Sequence, residues 1–75
     1  MKSLFETTSE YVAAYLIVRG YRPMVRQHDR GVPVFMFPPE ARLSAEAYYA
    51  GASVSAKDFV NAIDRLRESI QQEAA

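Results

Sequence analysis

Apolar positions are unevenly spread along this chain. Tyr11-Val12-Ala13-Ala14-Tyr15-Leu16-Ile17-Val18 runs for eight residues without a polar break. A segment apolar on nearly every face predicts a helix that other elements cover on several sides. Its flanks agree. Thr7 and Glu10 have the spacing of a capping box, and Gly20 suits the left-handed position that closes a helix. Residues 8–19 therefore read as a central buried helix.

After Gly20 the period changes. The runs Tyr21 to His28 and Val32 to Phe37 flank Asp29-Arg30-Gly31, and two β-prone runs around such a turn predict an antiparallel hairpin. Each run holds a proline, Pro23 or Pro33, which belongs near a strand end or on an edge that needs no donor. In the second run Phe35 and Phe37 share one face, with Val34 and Met36 on the other. Both faces are apolar, so this strand is the more central of the two. Arg22, Arg26 and Gln27 turn part of the first run towards water. Leu4 to Thr8 reads as a short strand whose place in the sheet the pattern does not define.

Pro38-Pro39 ends the hairpin, and a helix over residues 40–50 follows. Glu40 complements its dipole, Leu43, Ala47 and Ala50 fall at helical spacing, and Gly51 closes it. Ser55 and Asp58 open a third helix through a variant capping box. Phe59, Ile63, Leu66 and Ile70 form its apolar stripe, widened by Val60 and Ala62. Asp58, Asn61, Asp64, Arg65, Arg67 and Glu68 take the other faces, and residues 71–75 are expected to fray. The order β-α-β-β-α-α predicts an α+β fold: one small two-layer domain over residues 1–75, with an antiparallel hairpin sheet packed on helices.

Composition narrows the function classes. With 49% hydrophobic and 24% charged residues, the chain is globular rather than disordered. It has no cysteine, so neither disulfides nor thiolate metal sites staple it. At this size a core just suffices, and pairing with a second copy is a common supplement, so a homodimer is an expected partner. Nine basic and nine acidic residues cancel, which argues against a wholly nucleic-acid-binding surface but permits a local patch. The apolar octet falls far short of the roughly 20 residues that span a bilayer. Met1 to Glu6 lack the apolar region of a secretory signal. The expectation is a cytoplasmic protein without membrane contact.

Candidate chemistry is sparse. His28 is the lone histidine, with no cysteine or second histidine to complete a metal site. No serine sits in a nucleophile-elbow pattern, and the three glycines stand too far apart for a phosphate loop. Asp64 and Glu68, with Arg65 and Arg67 beside them, make an ordinary solvated helix face. No catalysis, cofactor or metal is expected.

One uneven feature remains. Arg19, Arg22, Arg26 and Arg30 fall within twelve residues, opposed only by Asp29, and Tyr21 lies among them. On a regular strand Arg22, Arg26 and Arg30 share a face, unless Pro23 or a bulge breaks the phase. Arginine forks suit phosphate, and a tyrosine ring suits a stacked single-stranded base. The plainer account is that they solvate an edge strand, or pair with Glu46, Asp64 or Glu68. A second surface is Tyr48-Tyr49, one of which must be part-exposed, with Tyr15 and Phe37 as candidate neighbours.

Several segments together carry a resemblance. Phe5-Glu6-Thr7-Thr8, Tyr11 to Leu16, Gly20-Tyr21, the hairpin, Tyr48-Tyr49-Ala50-Gly51 and Phe59-Val60-Asn61-Ala62-Ile63 with Leu66 follow one order and spacing. Over residues 4–70 this resembles the small bacterial and phage family called domain of unknown function 5659. The resemblance implies a stand-alone module and brings no catalytic residues; the arginine run is outside it. Two functions follow. The first is a non-enzymatic, nucleic-acid-associated module using Arg19, Tyr21, Arg22, Arg26 and Arg30, with weak and salt-dependent binding. The other is a protein-interaction or homodimerisation module using the hairpin edge or Tyr48 and Tyr49.

Overall fold

The apolar octet forms the helix around which the fold closes. In the computed structural model, which describes residues 3–27 and 31–74, the elements are β1 (Phe5–Thr7), α1 (Glu10–Val18), β2 (Met24–Gln27), β3 (Pro33–Phe37), α2 (Ala41–Tyr49) and α3 (Ala56–Ala74). The expected α+β order is present. The first strand, unplaced by pattern alone, pairs with β3, giving a three-stranded antiparallel sheet in the order β1-β3-β2. Asp29 and Arg30 of the expected Asp29-Arg30-Gly31 turn, and His28 at the end of the run before it, lie outside the described residues.

In α1, Val12 to Leu16 are each at most 1% exposed. The helix packs against α3 and α2, and Phe35 and Phe37 of the sheet join the same cluster. Its start differs from expectation. Ser9, not Thr7, is the N-cap, and its Oγ accepts a hydrogen bond from Val12 N at 3.2 Å. Thr7 is held in β1 opposite Phe35, where its Oγ1 accepts from Ser9 N. Glu10 turns instead to α3, accepting a bond from Arg67 Nε at 2.7 Å. That bond holds the Arg67 guanidinium above its ordinary pKa. The end matches expectation: Gly20, at φ 102°, donates to Ile17 O while Tyr21 N donates to Leu16 O, a Schellman closure.

Cross-strand partners share a face, so Phe5, Phe37, Phe35 and Val25 all point to the helices. The Cα extents of 35 × 33 × 18 Å leave room in the short direction for one sheet and one helix layer. Helices therefore cover only one side of the sheet.

The inward face of α2 is a correction. Leu43 is 73% exposed, and Ala41 and Ala45 are buried instead, with Tyr48 half-buried below them. Entry through Pro38 and Pro39 sets the rotation: Ala41 N bonds Pro38 O and Arg42 N bonds Pro39 O, which turns Leu43 outward. In α3 the stripe behaves as expected, with Ala62 and Leu66 buried and Phe59, Ile63 and Ile70 packed against them. The helix does not stop at residue 70 but runs to Ala74.

Leu66→Ala is expected to remove about 3 kcal/mol from a total of roughly 4–11 kcal/mol, since it opens a cavity beneath α1. Val60→Ala, on the exposed side of the same helix, should change stability by less than about 0.5 kcal/mol. Urea unfolding followed by circular dichroism reads both; equal losses would mean that α3 is not seated as described.

Candidate functional site

Among the described residues, no element covers the side of the sheet away from the helices. Alternation from the core-facing Phe35 and Phe37 puts Val34 and Met36 there, and the register adds their partners Arg26, Met24 and Glu6. Met24 is 63% exposed. Leu4 and Val32, which flank β1 and β3 in the same phase, are 48% and 46% exposed.

Across this face runs an ion pair. Arg26 Nη2 donates to Glu6 Oε1 at 2.8 Å. The two residues belong to the outer strands, about 10 Å apart at the usual strand spacing. The pair therefore arches over β3, whose residues opposite Arg26 and Glu6 are Val34 and Met36. This accounts for an otherwise odd number: Val34 lies outside the helix-side core yet is only 5% exposed. The aliphatic stem of an arginine covers apolar surface while its head stays wet.

The four described residues of the arginine run, Arg19, Tyr21, Arg22 and Arg26, do not form one patch. Arg26 is neutralised by Glu6, a β1 residue, rather than by the helix acids Glu46, Asp64 or Glu68. Arg19 turns back on its own helix: its Nε donates to Tyr15 Oη at 2.9 Å, and its guanidinium lies 5.4 Å from the Tyr15 ring centroid. Arg22 precedes β2, which begins only after Pro23, so it does not continue the Arg26 face. It lines a cleft of about 280 Å³ beside α3, together with Arg65 and Ser69. Tyr21 is half-buried in the wall of that cleft, and Arg30 is outside the described residues. Arg65 entered the sequence reading only as part of a solvated face; no one-dimensional signal links it to Arg22.

Tyr48 and Tyr49 divide as their adjacency requires. Tyr48 lies between Tyr15 and Tyr49, tilted by 56° to the first at 5.6 Å and edge-on to the second at 5.4 Å, while Tyr49 is 72% exposed. Tyr48 thus serves the core margin, and Tyr49 is the outward ring. Among the described residues no three acidic or imidazole groups gather as metal ligands, and no helix is long and apolar enough to cross a membrane.

Comparison with family models, curated proteins and solved structures finds no match for this chain. The site must be read from its own geometry.

Both members of the Arg26–Glu6 pair are about half-exposed, so their coupling should be small, about 0.5 kcal/mol. A double-mutant cycle over Arg26→Gln and Glu6→Gln, read by urea unfolding, measures it. Arg26→Ala should cost more than Arg26→Gln, because only the former uncovers Val34. Equal costs would remove the covering role.

Proposed function

We propose that this chain is a non-enzymatic interaction module whose uncovered sheet face associates with a second copy of itself. The observation that carries this reading is the face itself. It bears exposed apolar side chains at Met24, Leu4 and Val32, with one carboxylate and one guanidinium set on opposite outer strands. Such a face complements itself. A two-fold axis through the ion pair brings Arg26 of one copy towards Glu6 of the other, as an isologous contact requires.

Size sets the strength. Three strands of up to five residues present a face of about 15 × 17 Å. That is well under the roughly 800 Å² per partner of a standard interface. The association is therefore weak, reversible and concentration-dependent. The nucleic-acid reading has less support from this geometry, because Arg26 and Arg19 are already engaged within the chain.

Sedimentation equilibrium should show a monomer–dimer equilibrium that Met24→Lys shifts to monomer and Tyr49→Ala leaves unchanged. Met24 is exposed, so the lysine variant should keep its circular dichroism spectrum. A monomer at every concentration would reject this reading. Salt-steep binding of labelled oligonucleotides, measured by fluorescence anisotropy and lost in Arg22→Glu, Arg26→Glu, would return the nucleic-acid role.

A further inference from the structure

A different part of the molecule, on the helix side, brings two arginines to one cleft. Among the side chains that the structure describes, two guanidinium–carboxylate ion pairs form, Arg26–Glu6 and Arg67–Glu10. Neither Arg22 nor Arg65 belongs to them. Both line the cleft of about 280 Å³ between the α1–β2 connection and α3. They reach it from separate elements: Arg22 follows the Schellman closure of α1, and Arg65 comes from the middle of α3. Between them the walls are apolar, supplied by Ile17, Tyr21 and Leu66. Ser69 also lines the cleft, but its hydroxyl already donates to Arg65 O at 3.1 Å. Anion contacts therefore fall to the two guanidiniums.

We infer that this cleft binds a small organic anion, with its phosphate or carboxylate head at Arg22 and Arg65 and its apolar body against Ile17, Tyr21 and Leu66. The charge argument is direct. Two guanidinium forks lining one cleft favour an oxyanion. Size limits the ligand. Pockets for drug-sized molecules span roughly 300–1,000 Å³, so this cleft takes a single ring with its charged group and little more. Asp58 lines a separate, adjoining cleft that shares Ile17 and Arg65, and it disfavours an anion shifted in that direction. The head group is thereby placed on the Arg22 side.

The site shares no residue with the sheet face, so the two readings fail separately. The test is an amide proton–nitrogen NMR titration of the whole chain with phenyl phosphate, benzoate, inorganic phosphate and phenol. Saturable shifts confined to the α1–β2 connection and the middle of α3 are expected for phenyl phosphate or benzoate. Which of the two binds more tightly identifies the head group. Inorganic phosphate and phenol should each bind more weakly, since each offers half of the recognition. Arg22→Gln and Arg65→Gln should each weaken binding about tenfold, the loss of one charge-assisted contact. Both side chains are exposed, so spectral dispersion should be kept, and Met24→Lys should bind as the parent does. Absence of saturable shifts, equal shifts with phenol alone, or binding unchanged in the double glutamine variant would each overturn the proposal. Oligothymidylate binding at these residues without binding of either aromatic anion would overturn it as well.

Discussion

A nine-residue helix with almost no polar side has to be enclosed, and the rest of the chain is arranged to enclose α1. Five consecutive residues at the centre of the helix are withdrawn from water. Fully burying one large aliphatic or aromatic side chain is worth about 1.5–3 kcal/mol, so exposing any side of α1 is costly. Three flanks are closed by three different means. The sheet presents phenylalanines, α2 presents alanines, and α3 presents a leucine, two isoleucines and a phenylalanine. Glu10 and Arg67 fasten the α3 side at the rim.

This enclosure decides where function has room. The apolar groups that α1 requires lie on the helix side of the sheet, and among the described residues no element is left to cover the other side. The ion pair between β1 and β2 is the partial substitute. It shields Val34 but leaves the margins, Met24 and Val32, in contact with water. The cleft at Arg22 has a related origin. Closing α1 with Gly20 sends the chain sharply towards β2, and the corner stands clear of α3 instead of packing flush against it.

How much of this was legible in the sequence depended on range. The buried helix, the hairpin, the central place of Val32 to Phe37 and the stripe of α3 were legible, because each follows from a period of two or 3.6 within one segment. The N-cap was missed since Thr7 and Ser9 are both capable caps, and only the pairing of Thr7 with Phe35 removes it from competition. The exposure of Leu43 depended on how the Pro38–Pro39 corner rotates α2, which no helical wheel contains. At the candidate sites the loss was greater. Arg26 appeared as part of a basic run because its partner, Glu6, lies twenty residues earlier and is brought near only through β3. Arg65 appeared as one charge among several on a wet helix face, and the corner that sets it beside Arg22 is a tertiary feature.

The joining of α1 to α3 has a consequence for how the protein is made. Leu16 leaves the ribosome fifty residues before Leu66, its partner in the core. At ordinary synthesis rates that gap lasts about 3–10 s, far longer than a helix needs to form. For those seconds the most apolar segment of the chain lacks the α3 part of its cover. Until α3 follows, this stretch of the nascent chain is at its most adhesive, and its solubility during synthesis depends on how quickly that helix arrives.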